Sequence, residues 1–326
     1  MDYTTMHYTT LGRTGLRVSV AGLGAGGFSR LGLSTGKSEA EAVALVHAAL
    51  DLGVNVIDTA APYGTEAVVG KAIAGRRRDS VVIATKATVI RGGERIPTAR
   101  VIESLDNSLR VLGVDCIDVF QLHAVPPASY EYVRDVVAPA LLAEKQKGKF
   151  RFLGITETAP NDLEHVTVSR AAADGLWDVV MVAFHMMCQN ARETAFPATR
   201  AHDVGTLMMF AVRSIFARPA QLAATMRELA AAGQVPESLA ERDDPLGFLV
   251  HADGASSLTD AAYRFVRHEP GVDVVLFGTG EIGHLRSNVG SILKPPLPGD
   301  DRARLAELFG HLRGVGLDVP SQRARG

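Results

Sequence analysis

Eight short apolar runs alternate with helical patterns along most of this chain, and no other feature limits its fold as strongly. The runs are rich in Val, Ile and Leu, which is typical of parallel strands covered on both faces. The helical patterns commonly end at a glycine, such as Gly53, Gly75 or Gly113. Eight strand–helix units within 326 residues predict a closed (β/α)8 (TIM) barrel, with any chemistry at the C-terminal ends of the strands.

The predicted elements leave three segments outside the eight units. Residues 7–20 read as a β-hairpin that covers the opposite end of the barrel. The long loop 212–257 follows strand seven, carries its own helix at 219–232, and is either a lid or a disordered excursion. Residues 301–312 form an extra C-terminal helix, and the whole chain 1–326 reads as one domain. The predicted strands are 20–27 with its glycine-rich loop, 54–58, 80–86, 116–123, 152–156, 179–183, 206–210 and 272–277. The predicted helices of the units are 38–53, 66–74, 98–112, 132–147, 161–173, 193–202, 258–268 and 281–293.

Composition excludes several classes of partner. The formal net charge of −2 gives no electrostatic footprint for nucleic acid or for an anionic membrane. The two cysteines, Cys116 and Cys188, lie in apolar surroundings and have neither metal-ligand spacing nor the density of a disulfide framework. No apolar run is long enough for a bilayer span, and the N-terminus lacks a signal-peptide pattern. We therefore expect a cytoplasmic protein that acts on a small molecule, in an oligomeric state that the sequence leaves open.

Four polar residues stand at or just after the ends of three successive strands: Asp58, Tyr63, Lys86 and His123. Each alone has an ordinary explanation, such as a helix cap, a surface ring or a solvated lysine. A barrel would bring them to one mouth, where they would form an acid–base group. We expect Lys86 to lower the pKa of the Tyr63 phenol, Asp58 to hold Lys86, and His123 to orient a substrate carbonyl. Such a group suits protonation of an oxygen that gains negative charge, as hydride addition to a carbonyl requires.

The spacing of these residues resembles that of the aldo-keto reductases. The resemblance covers nearly the whole chain and rests on Gly53-x4-Asp58-Thr59-Ala60-x2-Tyr63-Gly64, Lys86, Leu122-His123, Lys147-Gly148-Lys149-x-Arg151 and Gly278-Thr279-Gly280-x3-His284-Leu285-x2-Asn288. It implies a (β/α)8 barrel that transfers hydride between a nicotinamide cofactor and an aldehyde or ketone, or the corresponding alcohol or lactol, without a metal. It also implies that Tyr63 is the general acid, that Lys86 and Asp58 tune it, and that His123 positions the carbonyl.

The cofactor region fits this resemblance with departures. Gly22-x-Gly24-x-x-Gly27 matches a dinucleotide fingerprint, which needs an acidic residue about 20 positions on, at the end of the second strand. That position falls inside the predicted helix around 44–48 and the second strand comes later, so we assign these glycines to the first loop of the barrel. Gly278, Thr279 and Gly280 open a helix, and a helix N-terminus is suited to phosphate. The resemblance implies that this loop takes the adenosine 2′-phosphate, and NADP(H) is favoured over NAD(H). The remaining predicted cofactor residues include Gly26, Asp58, Asn288, and Phe210 as the ring that stacks on nicotinamide. Four more depart from the residues common in the family: Thr156, Glu157 and Met181 stand where Ser, Asn and Gln are common, and His284 stands in place of Arg.

Predicted substrate contacts are Phe28, Tyr63, His123 and Met186. Aromatic and methionine side chains suit an apolar or adaptable substrate. Two other functions remain open at this point. The chain could be a regulatory subunit that binds NADP(H) without turnover, or a barrel lyase or isomerase that uses Lys86 as a Schiff base.

Overall fold

The computed structural model describes residues 5–317, and its centre is a closed barrel of eight parallel strands. The first strand of the barrel pairs with the second and with the last, and the others pair in chain order, as predicted for a (β/α)8 fold. Two antiparallel hairpins stand outside the barrel. In chain order the strands are β1 (Tyr8–Thr10), β2 (Arg17–Ser19), β3 (Ala21–Gly24), β4 (Val56–Asp58), β5 (Val82–Thr88), β6 (Ile90–Arg91), β7 (Glu94–Arg95), β8 (Ile117–Val125), β9 (Phe150–Glu157), β10 (Val179–Ala183), β11 (Gly205–Met209) and β12 (Val274–Phe277).

Helices cover the barrel on its outside, and several ends differ from the predicted ones. The helix predicted from residue 161 begins at Val166, because the Asp162 carboxylate accepts hydrogen bonds from the backbone N–H groups of Val166 and Thr167. The helix predicted at 132–147 contains a π-helical turn, Val133–Val137, between α4 and α5. The helices are α1 (Glu39–Asp51), α2 (Glu66–Ile73), α3 (Thr98–Leu112), α4 (Tyr130–Tyr132), α5 (Ala138–Gln146), α6 (Val166–Ala173), α7 (Phe196–Ala201), α8 (Ser214–Ala217), α9 (Pro219–Ala231), α10 (Glu237–Ala240), α11 (Leu258–Arg267), α12 (Ile282–Leu293) and α13 (Gly299–Phe309).

The N-terminal hairpin β1–β2 closes the end of the barrel at which the strands begin. Leu11, Leu16 and Val18 are buried in one apolar cluster with inward-facing barrel residues such as Val56 and Val179. The predicted hairpin is therefore confirmed, and its side chains fill the N-terminal end of the barrel. Any chemistry is therefore expected at the opposite end of the barrel, where the strands end.

The long connection after β11 is folded, so the alternative of a disordered excursion is not supported. It forms α8, α9 and α10, and Leu222, Met226 and Leu229 of α9 are buried. After α13 the chain returns to the barrel mouth, where Leu317 packs in one small cluster with residues that include Phe210. Within residues 5–317 no helix is both long and apolar enough to span a bilayer.

Candidate active site

The polar strand ends meet at the C-terminal mouth of the barrel, as the sequence predicts. Asp58 is the last residue of β4 and lies beside Ala84 of β5, while Lys86 of β5 pairs in register with Gln121 of β8. His123 follows two residues later on β8, opposite Thr88. Parallel pairing in this register brings an ammonium, a carboxylate and an imidazole to adjacent strand ends.

Lys86 and Asp58 form an ion pair within the barrel. The Lys86 Nζ atom donates to Asp58 Oδ2 at 2.7 Å and to the Thr59 carbonyl at 2.8 Å, and the Lys86 side chain is 0% exposed. Burial lowers the pKa of Lys86, but the negative charge of Asp58 and the interactions with Asp58 and Tyr63 more than offset this, so the pKa is raised. Lys86 therefore remains an ammonium at neutral pH.

Gln121 is a site residue that the sequence prediction missed. Its side chain is fully buried, and its Nε2 atom donates to Asp58 Oδ1 at 3.3 Å. Burial raises the pKa of Asp58, and the contacts with Lys86 and Gln121 oppose that rise by stabilising the carboxylate. The sequence did contain a signal for Gln121, because it is an amide in an otherwise apolar strand. It stands two residues before His123 and therefore lies on the same face of β8.

Tyr63 lies on the loop after β4, with its hydroxyl 3.3 Å from His123 Nε2. The Lys86 Nζ atom lies 5.1 Å from the centre of the Tyr63 ring. A Cβ atom on Gly26 would come within 2.5 Å of that ring, so the first barrel loop can pass over Tyr63 only because residue 26 is glycine. The loop, the ring and the imidazole thus form one wall of the mouth.

The pKa of Tyr63 corrects the expectation that Lys86 lowers it. Burial raises the pKa of Tyr63 and outweighs the lowering effect of Lys86, so the net direction is opposite to the predicted one. Burial, with a smaller contribution from the Lys86 charge, lowers the pKa of His123 to about 3. At neutral pH the structure therefore holds a protonated phenol beside a neutral imidazole and an ammonium.

Glu157, for which the sequence predicts a contact with a carboxamide, ends β9 with its carboxylate bound inside the protein. Its side chain is 0% exposed, and Oε1 accepts a hydrogen bond from the Ala183 backbone N–H at 2.8 Å. Its Oε2 atom lies 2.9 Å from His165 Nδ1. Both carboxylate oxygens therefore have partners inside the protein.

The remaining predicted pocket residues differ in how far their side chains are exposed to solvent. Thr156 is buried, and its hydroxyl accepts a hydrogen bond from the Ala124 N–H at 2.7 Å. Met181 belongs to the inner cluster of the barrel. Met186 exposes no surface and packs in the main core, so a substrate contact through it is not supported. Phe28, in contrast, is 77% exposed on the first barrel loop.

Phe210 follows β11 at the mouth with a left-handed φ of 69°, a strained conformation for a residue with a large side chain. The guanidinium carbon of Arg213 lies 4.1 Å from the centre of its ring. One face of the ring is therefore covered by Arg213, and the ring stays partly exposed.

Comparison with known proteins agrees with this geometry. Residues 22–309 match the aldo/keto reductase family, which is most of the chain and all eight barrel strands except the first residue of β3. The chain belongs to the aldo/keto reductase family.

Two curated relatives match this aldo/keto reductase over most of its length. It is 28% identical over 320 residues to L-galactose dehydrogenase of Arabidopsis thaliana, covering 96% of each chain. It is 27% identical over 312 residues to the aldo-keto reductase YhdN of Bacillus subtilis (strain 168), covering 86% of this chain and 87% of the relative. The solved structure of the aldo-keto reductase AKR11C1 from Bacillus halodurans shares the fold, with a TM-score of 0.68 and 24% identity over 93% of this chain and 96% of the other.

The loop that opens α12 in this aldo/keto reductase has features that suit a phosphate of a nicotinamide cofactor. Glu281, at the N-cap position, makes no side-chain cap hydrogen bond, and a Cβ atom on Gly283 would meet nothing within 4 Å. The first-turn N–H groups of α12 are therefore accessible to a phosphate. His284 is exposed and Asn288 partly exposed, and their spacing of four residues places both on one face of α12.

Lys37 adds a positive charge to this loop, and sequence reasoning missed it. Its Nζ atom lies 3.0 Å from Glu281 Oε1, and the hydrogen bond and charge of Glu281 raise the pKa of Lys37. The two residues are far apart in the sequence, so only the closed barrel brings them together. Among residues 5–317 no group of three or more His, Cys, Asp or Glu side chains is placed to bind a metal ion.

Proposed function

We propose that this protein transfers hydride between a nicotinamide cofactor and the carbonyl carbon of a small aldehyde or ketone, or of the corresponding alcohol or lactol. One observation carries the proposal: the Tyr63 hydroxyl and His123 Nε2 lie 3.3 Å apart at the mouth, beside the buried Lys86–Asp58 pair. A protonated phenol next to an ammonium is suited to give a proton to an oxygen that becomes an alkoxide.

Asp58, Tyr63, Lys86 and His123 form a tetrad, and each has a separate role. Tyr63 donates its proton to the substrate oxygen, and the Lys86 ammonium stabilises the phenolate that remains. Asp58, held by Gln121, keeps Lys86 charged and in place. His123 is neutral, with its pKa lowered to about 3, so it hydrogen-bonds the substrate oxygen without adding a charge that would compete with Lys86.

The bound nicotinamide would supply or accept the hydride. The glycine loop at 278–280 and the first turn of α12 would hold its phosphates, with His284 and Asn288 beside the adenosine and Phe210 against the nicotinamide ring. We favour NADP(H) over NAD(H), because the Lys37 ammonium adds positive charge at the loop that would hold a 2′-phosphate, although His284 stands in place of the Arg that is common in the family. Glu281 opposes this preference in part, since its carboxylate already binds Lys37.

The direction of the reaction has a second candidate. A relative that matches over 96% of its length is named L-galactose dehydrogenase, and this favours oxidation of a sugar lactol as the alternative to carbonyl reduction. The same tetrad would then run in reverse, with the Tyr63 phenolate as base. A Schiff-base reaction at Lys86 is disfavoured, because this amine is buried, charged and bonded to two oxygens.

Replacement of Tyr63 by Phe tests the proposal. We expect kcat/KM for a carbonyl panel with NADPH, and for a sugar panel with NADP+, to fall by about 10² to 10⁴. The dissociation constant for NADPH, measured by fluorescence titration, should stay nearly unchanged. Tyr132→Phe is the matched control, because its hydroxyl bonds the Ile96 carbonyl away from the tetrad.

Three results would contradict the proposal. Unchanged turnover in Tyr63→Phe would remove the phenol from the chemistry. Nicotinamide binding without turnover of either panel by the unaltered protein would favour a regulatory subunit. Borohydride trapping of a substrate on Lys86, without any need for nicotinamide, would favour a lyase or isomerase.

A further inference from the structure

Tyr63 stands on the loop between β4 and α2, and the first residue of that loop is tied to β5. The Thr59 backbone N–H donates a hydrogen bond to the Ala84 carbonyl at 2.8 Å. The Thr59 carbonyl accepts a hydrogen bond from Lys86 Nζ, also at 2.8 Å. The backbone of Thr59 therefore fixes the start of the loop to the strand that carries Lys86.

The end of the loop is tied to the same strand by a buried carboxylate. Glu66 is the first residue of α2, and its Oε1 atom accepts a hydrogen bond from the Thr85 hydroxyl at 2.6 Å. Thr85 directly precedes Lys86 on β5. Because successive side chains of a strand point to opposite faces, Thr85 faces α2 while Lys86 faces the inside of the barrel. Any shift of α2 along β5 would therefore move the loop relative to Lys86.

A second buried hydrogen bond closes the loop at its base. The hydroxyl oxygens of Thr59 and Thr65 lie 2.9 Å apart, and neither residue exposes any surface. Between them, the Tyr63 N–H donates to the Ala60 carbonyl at 2.9 Å, and Gly64 turns the chain with a left-handed φ of 72°. Tyr63 is thus carried on a short loop that side chains hold closed.

The carboxylate of Glu66 is an expensive way to pack a helix on a strand. Burial of a charge destabilises a fold unless hydrogen bonds or other charges compensate for it. The position in the first turn of α2 offsets part of this cost, because a helix N-terminus favours negative charge. An apolar side chain at residue 66 would avoid the cost, but it would set no direction. A hydrogen bond is directional, so Glu66 fixes where the loop ends on β5.

We propose that these two buried hydrogen bonds position the Tyr63 hydroxyl for proton transfer to the substrate. The positioning residues are Thr59, Thr65, Glu66 and Thr85, and they act through the loop rather than on the substrate. The inference rests on the proposed role of Tyr63 as the proton donor. A misplacement of about 1 Å at a reacting group can slow a reaction about 100-fold, so a loosened loop should cost turnover.

Paired substitutions separate positioning from stability. Thr85→Val leaves the buried carboxylate of Glu66 without its hydrogen bond, so we expect the free energy of unfolding to fall. Thr85→Val/Glu66→Leu removes both polar groups and should recover most of that stability. Urea unfolding measures this recovery.

Turnover should respond differently from stability. We expect the single-turnover rate of carbonyl reduction to fall about 10- to 100-fold in both Thr85→Val and the double variant, because neither has the directional tie. The substrate is 4-nitrobenzaldehyde, or whichever member of the carbonyl panel the unaltered protein reduces fastest. The dissociation constant for NADPH should stay unchanged. Thr85→Ser keeps the hydroxyl and should restore the rate.

Thr206→Val is the matched control. Thr206 is a buried threonine near the start of β11, at the opposite end of the barrel, and its hydroxyl donates to the Gly271 carbonyl at 2.7 Å. This variant should lower the free energy of unfolding without lowering the single-turnover rate.

An unaltered rate in Thr85→Val, with the rate lost in Tyr63→Phe, would overturn this inference and leave the proposed function intact. Recovery of both stability and rate in the double variant would show that the pair only packs, and a parallel loss of NADPH affinity would show a general distortion of the mouth; either result overturns the inference. Retained turnover in Tyr63→Phe would overturn the proposed function, and this inference with it. If Thr85→Val fails to fold, Thr65→Val removes the other hydrogen bond and is judged by the same measurements.

Discussion

At the scale of single residues, Glu157 and His165 form a second buried acid–base pair, separate from the tetrad. Both side chains are 0% exposed, and His165 Nε2 lies 3.3 Å from Asn190 Oδ1. Burial disfavours the imidazolium, but the charge of Glu157, with contributions from Cys188, raises the pKa of His165 to about 10. The carboxylate of Glu157 therefore links the end of β9 to His165 at the start of α6.

This pair predicts a specific dependence of stability on pH. Because the pKa of His165 is higher in the folded than in the unfolded state, protonation of His165 stabilises the fold fully below about pH 6.5. This stabilisation is lost as the pH rises through about 10. We expect Glu157→Gln to lower the free energy of unfolding at pH 6 by about 3–5 kcal/mol, because it leaves a buried imidazole without its anion. The difference from the unaltered protein should shrink between pH 7 and pH 10. Urea unfolding across this range measures both effects.

Glu131→Gln is the matched control for that series. Glu131 pairs with Arg170 at the surface, where the two side chains are 51% and 39% exposed. Solvent screens such a pair, and arginine keeps its charge throughout this range, so we expect little change and no such trend with pH. The assignment of Glu157 and His165 as a stabilising ion pair would be contradicted if Glu157→Gln did not lower the free energy of unfolding at pH 6. It would also be contradicted if the difference from the unaltered protein grew toward pH 10.

Sequence reasoning at this scale succeeded where strand direction alone decides the position. Asp58 ends β4, and Lys86 and His123 lie near the ends of β5 and β8, so a barrel must bring them to one mouth. It did not predict that Glu157 pairs with His165, because His165 stands in an irregular segment with a left-handed φ of 55°. It failed for the sign of the Tyr63 pKa shift, because the balance between burial and the Lys86 charge requires the packed structure.

At the scale of elements, the loop that opens α12 depends on a close approach of two glycines. A Cβ atom on Gly280 would come within 2.7 Å of the Gly32 Cα atom. Since the neighbouring atom is backbone, either the loop 278–280 or the turn that contains Gly32 would have to shift. The position of the first-turn N–H groups of α12 therefore depends on residue 280 being glycine.

We expect Gly280→Ala to weaken NADPH binding by about tenfold or more, with a much smaller effect on turnover at saturating NADPH. The physical reason is displacement of the phosphate-binding N–H groups, while the tetrad stays in place. Gly283→Ala is the matched control, because a Cβ atom there meets nothing within 4 Å and alanine favours the helix. Fluorescence titration and steady-state kinetics measure the two quantities. If Gly280→Ala bound NADPH as tightly as Gly283→Ala and the unaltered protein, this loop would not hold the cofactor.

The elements themselves were predictable to different degrees. All eight barrel strands follow from apolar runs, because a strand covered on both faces has no polar alternation to obscure it. Helix boundaries were less accurate, since the cap at Asp162 and the π-helical turn Val133–Val137 are local hydrogen-bonding choices within helix-compatible sequence. The ion pair between Lys37 and Glu281 could not be predicted, because nothing in either local sequence indicates the other.

At the scale of the whole molecule, the two ends of the barrel have separate tasks. The hairpin β1–β2 seals the N-terminal end, and Arg13 between its strands donates to the Trp177 carbonyl at 2.7 Å and lies 3.5 Å from Asp178. Leu11 is 1% exposed, and a Cβ atom on Gly205 would come within 2.7 Å of its side chain. The hairpin is thus packed against the start of β11 and contributes to stability at a distance from the tetrad.

Leu11→Ala separates these two tasks. We expect it to lower the free energy of unfolding by about 2–5 kcal/mol, because it removes buried methyl groups and leaves a cavity that a close-packed barrel end cannot fill. Turnover per folded molecule, measured well below the unfolding transition, should stay at the level of the unaltered protein. Val136→Ala, at a position 50% exposed, is the control and should change neither quantity appreciably. A loss of turnover in Leu11→Ala without a loss of stability would mean that the hairpin acts on the catalytic mouth through the barrel, and the separation of the two ends would have to be abandoned.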